Sequence, residues 1–240
     1  MISNDLTCTD LIKTYGGGFT LGPVTLELEA GVTCLVGANG AGKSTLFRLI
    51  AGVDRPTSGK VALPGGPGAR RLGYLPQDPT LPQSATCEDF LMYVAWLHQV
   101  PRSARRDAIA VVLKYVGLAN RAQVKIKTLS GGMQRRLGIA HALVHDPAVV
   151  LLDEPTSGLD PTQRIALREN VRTIGRDRVV LVSTHLVEDV RAFADRVIVL
   201  RDGAIVFDGD VQGLESLAAP IGAGSTDLER ALSGLIGVES

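Results

Sequence analysis

Hydrophobic positions in the first part of the chain come in short runs broken by glycine. "TCTDLIKTY", "VTLELE" and "VTCLVG", all within residues 3–36, alternate apolar and polar or run apolar throughout, and each reads as a strand. "GKSTLFRLIAG" then switches to helical spacing through Leu46, Leu49 and Ile50, and Gly52 ends it. Residues 53–78 are rich in Gly and Pro and read as short strands and turns, closing on "LGYLPQD", a strand that runs into a loop. From roughly 84 to 143 the period is helical, in "CEDFLMYVAWLHQV", "RRDAIAVVLKYVGL" and "GGMQRRLGIAHALV". "AVVLLDEP" is a continuous apolar run of the kind buried in a parallel sheet, and "RVVLVSTH" is a second. Between them "PTQRIALRENVRTIG" is a helix with Pro161 near its start. "RVIVLRDGAIVFDG" predicts a hairpin about Asp202-Gly203. The last thirty residues hold a Gly/Ser/Pro-rich break and a short helix, "DLERALSGLIG".

Composition narrows this little. A chain of 240 residues makes one or two domains with a sizeable core. Lys+Arg and Asp+Glu are both 25, so the basic excess of a nucleic-acid binder is missing. The local clusters Arg102–Arg106 and Arg135–Arg136 read as solvated faces. Cys8, Cys34 and Cys87 are odd in number and lack metal spacing, which fits a reduced setting, with Cys34 in the core. "MISNDLTCTDLIK" lacks the basic start and apolar run of a signal peptide. No apolar run reaches the ~18 residues of a membrane span. "FLMYVAWL" is the most lipid-like and is too short, so any membrane role needs a partner.

Chemistry enters with Gly37-Ala38-Asn39-Gly40-Ala41-Gly42-Lys43-Ser44, which fits G-x-x-x-x-G-K-[ST] in full, after a strand and before a helix. Its glycines let backbone N–H groups wrap a phosphate without Cβ clashes. Lys43 reaches the β- and γ-phosphates and Ser44 offers a hydroxyl to Mg²⁺, with Thr45 next in line. "VVLLDE" is the expected second element. A buried parallel strand delivers Asp153 close to that loop, where it can hold Mg²⁺, and Glu154 can orient and deprotonate an attacking water. "LSGGMQRR" raises a question, because Ser130, Gly131 and Gly132 form another anion-ready helix start in a chain that already has a phosphate loop.

With the phosphate loop, "LSGG" and "LLDEP" in this order, the chain resembles the ATP-binding subunits of ABC transporters over nearly its whole length. The set is specific, since unrelated phosphate-loop proteins lack "LSGG". The resemblance implies that two such subunits pair head to tail, as a homodimer or pseudo-dimer. Ser130, Gly131 and Gly132 then face the γ-phosphate of the partner's ATP, which answers the question of the second helix start. It further implies Tyr15 stacked on adenine and Gln77 contacting Mg²⁺ or the attacking water at the junction with the helical region. Asp160 of "SGLD" would link the two sites across the dimer, and His185 of "VSTH" would touch the γ-phosphate. His98, His141 and His145 match nothing in the family pattern.

The fold so implied is α/β: a P-loop NTPase core with a mostly parallel sheet flanked by helices, an N-terminal antiparallel β subdomain and an inserted α-helical subdomain. As one ABC ATPase domain over 1–240, it divides into a core of 1–77 and 131–210, an insertion of 78–130 and a helical tail of 211–240. The implied function is ATP hydrolysis, with ATP and Mg²⁺ bound, driving a polytopic membrane permease from the cytoplasmic face of the membrane, with no nucleic acid involved. The stretch from Gly73 to Val100 and the closing "STDLERALSGLIG" look like exporters whose ATPase is a separate chain. Two other readings stay open: a soluble ABC ATPase acting in assembly without a membrane partner, and a nucleotide-gated binding module with negligible turnover.

Overall fold

The computed structural model describes residues 5–64, 72–218 and 224–237. The Gly/Pro-rich run over 65–71 and much of the C-terminal break, at 219–223, lie outside the described residues. Strands β1 (Leu6–Thr14), β2 (Thr20–Leu28) and β3 (Gly31–Val36) lead into helix α1 (Lys43–Ile50). Strands β4 (Ser58–Ala62) and β5 (Leu72–Leu75) follow, then helices α2 (Cys87–Leu97), α3 (Arg105–Tyr115) and α4 (Gly131–Leu143). Strand β6 (Val149–Asp153), helix α5 (Pro161–Gly175), strand β7 (Val179–Ser183) and helix α6 (Val187–Phe193) continue the chain. It ends with strands β8 (Arg196–Arg201) and β9 (Ala204–Gly209) and helices α7 (Val211–Glu215) and α8 (Asp227–Ile236).

Two sheets form. One has the order β5-β6-β7-β3-β8-β9 and is parallel except for its last pair, and the other is antiparallel in the order β2-β1-β4. The continuous apolar runs make the buried strands, because both faces of β6 and β7 are covered. Alternation divides their side chains between two cores. Val150, Leu152, Val180 and Val182 face the helical side with Cys34. Val149, Leu151, Val179 and Leu181 face α1 and the antiparallel sheet, with Phe47 and Leu46. The β8–β9 turn has Asp202 and Gly203 both at positive φ (50° and 81°), the left-handed pair that a two-residue hairpin needs.

Helix α4 lies close over β5. A Cβ on Gly73 would fall 1.8 Å from the Ala142 carbonyl oxygen, and one on Gly138 would fall 2.6 Å from Leu75 Cδ1, so glycine is what allows the approach. The α4 N-terminus is thereby held at one edge of the parallel sheet. Helices α6 and α7 were not legible in the sequence, since seven and five residues are too short to display a helical period.

Candidate active site

Strand β3 ends at Val36, and the chain turns through Gly37–Gly42 before α1 begins. A Cβ at Gly37 would lie 2.3 Å from the Leu200 carbonyl oxygen, so the loop hugs the end of β8. Gly42 is the N-cap of α1 at φ 106°, and no side chain caps the helix. The first-turn N–H groups of α1 are therefore left for something other than the protein. Lys43 is buried, and its ammonium donates to the carbonyls of Gly37 (2.7 Å) and Ala38 (3.1 Å). Burial pushes its pKa down, while the carboxylates of Glu154 and Asp153 push it back up.

A cleft of about 390 Å³ opens over this loop, lined by Phe19, Asn39, Gly40, Gly42, Lys43, Ser44, Thr45, Gln77, Asp153 and Glu154. The sheet explains the convergence. Strands β3, β5 and β6 run parallel, so the residues following their C-terminal ends share one edge.

Asp153 pairs in register with Ser183 on β7. The Ser183 hydroxyl donates to Asp153 Oδ1 and accepts from the Glu154 N–H (2.8 Å). Glu154 takes a left-handed φ of 52°, a conformation of the kind that costs about 1–3 kcal/mol outside glycine. Its Oε2 lies 2.7 Å from Nδ1 of His185, which is more than half exposed. Behind this pair lies the fully buried carboxylate of Asp189. It accepts from the hydroxyls of Thr156 (2.6 Å) and Thr184 (3.0 Å), and from Arg168 (2.8 Å).

Other candidates lie outside the cleft lining. Ser130 and Gly131 are exposed at the start of α4, and the Ser130 hydroxyl accepts from the Met133 N–H (3.3 Å). Gly132 lies against α5, where a Cβ would come 2.4 Å from Gln163 Oε1. Asp160 caps α5 by accepting from the Gln163 N–H (2.9 Å). Tyr15 stands off the cleft with its hydroxyl donating to Asp54 (3.2 Å); the aromatic ring on the cleft wall is that of Phe19, 6.5 Å from the Tyr15 ring.

One expectation is corrected. Arg135 is not on a solvated face but is buried. Its guanidinium donates to the carbonyls of Pro76 and Gln77, just after β5, and of Asp153 and Glu154, at the end of β6. It has no carboxylate partner at ion-pair distance among the described residues. The signal was its phase: Arg135, Gly138, Ile139 and Ala142 follow i, i+3, i+4, i+7, the inward face of α4. Ser183 and Phe19 gave no such signal, because only tertiary pairing brings them to the site.

A parallel sheet that brings a glycine loop, a buried lysine and two carboxylates to one edge defines a phosphate-loop ATPase. The family model described as "ABC transporter" matches residues 21–157, and the chain belongs to that family as an ATP-binding, ATP-hydrolysing protein. It is 36% identical over 213 residues to the uncharacterized ABC transporter ATP-binding protein YxlF of Bacillus subtilis (strain 168), covering 88% of this chain and 72% of that one. It is 34% identical over 206 residues to the Nod factor export ATP-binding protein I of Burkholderia orbicola (strain AU 1054), covering 82% and 68%. Among solved structures, one titled "Structure of ATP binding subunit of ABC transporter" superposes with a TM-score of 0.80 at 26% identity, covering 88% of this chain and 92% of that one. The cbiO1 protein of Clostridium perfringens, titled as part of the ABC transporter complex cbiONQ, gives 0.73 at 28% identity, covering 85% and 88%.

Proposed function

We propose that this chain hydrolyses ATP to power export through a separate membrane permease, and that two ATPase subunits close around ATP to do so. The observation that carries the reading is the cleft in which Lys43, Ser44, Gln77, Asp153 and Glu154 converge, with His185 against Glu154. The loop N–H groups and Lys43 cradle the β- and γ-phosphates and take up charge that develops there. Glu154 accepts the proton of the water that attacks the γ-phosphorus, and His185 holds Glu154 and the γ-phosphate in relation to each other. Gln77 helps orient the water. Ser44, Gln77 and Asp153 are hard oxygen donors lining one cleft, a set that suits Mg²⁺. When bound, that ion neutralises charge on the phosphates.

Pairing of two subunits is supported by the α4 start. It is exposed and lies off the cleft of its own chain, an arrangement that suits a ligand carried by a second subunit. Asp160 and Gly132, on either side of the α4–α5 contact, belong to that same face in this reading. A permease partner is supported by Tyr93, Trp96 and Leu97, large apolar side chains exposed on α2 of the segment 78–130 inserted after Gln77. No helix of the described residues is long and apolar enough to cross a membrane, which fits peripheral attachment at the cytoplasmic face through that partner. Export is supported by the likeness to the Nod factor export ATP-binding protein I.

The test is affinity capture of Glu154→Gln protein from detergent-solubilised native membranes with ATP and Mg²⁺. Recovery of one multi-span membrane protein is the expected result. Recovery of soluble partners alone, with ATP-dependent dimers present, would move the function to an assembly role.

A further inference from the structure

We propose that Asp189 is a positioning residue for hydrolysis, setting Glu154 and His185 relative to one another through Thr156, Thr184 and Arg168. The proposal rests on the catalytic roles given above to Glu154 and His185.

Asp189 is fully buried, and its carboxylate is paired with Arg168 at 2.7 Å. A buried ion pair is a poor stability device, because apolar residues of similar volume often do as well or better. Its partners suggest another use. Thr156 lies two residues after Glu154, Thr184 immediately precedes His185, and Arg168 lies on α5, the helix that Asp160 caps. A single oxygen, Oδ2, accepts from both threonines (2.6 and 3.0 Å), while Arg168 takes Oδ1 (2.8 Å). The Thr184 hydroxyl in turn accepts from the Leu186 N–H (3.0 Å), so the peptide segment carrying His185 is gripped on both sides.

The two catalytic segments are thus joined on either flank of the His185–Glu154 contact. Ser183 joins them on one side, through Asp153 and the Glu154 N–H. Asp189 joins them on the other. Glu154 needs such support, because its left-handed backbone persists only where the surroundings over-determine it. The segment that holds Asp189 is a seven-residue helix without a side-chain cap, so the carboxylate depends on these bonds as much as they depend on it.

The experiment is a double-mutant cycle on the full chain. Turnover and ATP affinity are measured for Asp189→Asn, Thr156→Val and His185→Ala, and for each of the first two combined with His185→Ala. Misplacement of about 1 Å at a catalytic group can cost up to about 10²-fold, so Asp189→Asn and Thr156→Val are each expected to lower kcat by about 10–100-fold with ATP affinity held within about twofold. In the His185→Ala background the same changes should cost less than about twofold, since the Glu154–His185 contact whose geometry they set is gone. Thr156→Ser, which keeps the hydroxyl, should restore kcat. A purely structural role predicts the opposite: full additivity with His185→Ala, or losses that follow the folded fraction. Either result overturns the proposal. Thr156→Val leaves the Asp189–Arg168 pair in place and answers the question if Asp189→Asn does not fold. If His185→Ala and Glu154→Gln both turn over near normally, the site reading itself fails and the proposal falls with it. If they are inactive while Thr156→Val is normal, only the Asp189 proposal fails.

Discussion

Helices α1 and α4 both start at glycines and carry an electropositive N-terminus, yet the chain finishes the two starts differently. At α1 the cap is Gly42, no side chain reaches the free N–H groups, and the loop is folded against its own carboxylates and a buried lysine. At α4 the cap is Ser130, whose hydroxyl accepts from the Met133 N–H, and Gly131 beside it faces open space, with nothing within 4 Å of a Cβ position. A start that receives phosphate inside its own chain can be left uncapped, because the ligand completes it. A start left on the surface needs its own cap to persist between encounters. Arg135, one turn further along α4, ties this exposed start to the carbonyls that end β5 and β6. In the proposed pairing, the second start is anchored beside one subunit's carboxylates while being presented to another.

The largest effect should come from separating chemistry from clamping. Glu154→Gln leaves both helix starts intact, so turnover should fall about 10²–10⁴-fold, the scale of a lost general base. ATP-dependent pairing should survive in size-exclusion chromatography. Near-normal turnover would remove Glu154 from the proposed role and take with it the division of labour between α1 and α4.

A mixing experiment attacks the comparison directly. Lys43→Ala disables the α1 side, and Gly131→Asp puts a carboxylate where a γ-phosphate would sit at α4. Each variant alone should lose hydrolysis. Mixed one to one, they should recover about a quarter of the wild-type sites, since half of random pairs are mixed and each mixed pair holds one intact composite site. No recovery, with mixed pairs demonstrably formed, would mean that each α4 serves its own chain.

Arg135→Met tests the anchor. Its carbonyl partners would be left short of a donor, and a buried polar group without a partner costs about 1–3 kcal/mol. We expect a stability loss of about 2–3 kcal/mol in urea titration. ATP-dependent pairing should weaken while nucleotide binding to the monomer is kept. Unchanged pairing would reduce Arg135 to a packing residue.

The sequence carried the fold through periodicity. The runs "VVLLD" and "VVLVS" read as buried parallel strands, and they are β6 and β7. The phosphate loop and the Asp153-Glu154 pair were legible because their spacing is local. Residues that work through space were not. Ser183 becomes visible only once β6 and β7 are in register, and Asp189 only once α6 folds back beneath both. Arg135 was misread because its neighbour Arg136 suggested a charged surface, whereas the phase of α4 turns the two in different directions.

The smallest predicted effect concerns what holds the adenine end of the nucleotide at α1. Family resemblance assigns that to Tyr15, but its hydroxyl is held by Asp54, which also pairs with Arg48 at 2.8 Å. Phe19 sits on the cleft wall, with its ring 3.0 Å from a Cβ position on Gly42. Stacking of a base on an aromatic side chain is worth about 1–3 kcal/mol, or about 5–150-fold in affinity. If Phe19 supplies the platform, Phe19→Ala should weaken ATP binding by about tenfold and Tyr15→Ala by no more than about twofold, as read by calorimetry. The reverse ranking would mean that the Tyr15 ring leaves Asp54 when nucleotide arrives. The α1 start would then share with α4 a dependence on a part that has to move before the site is complete.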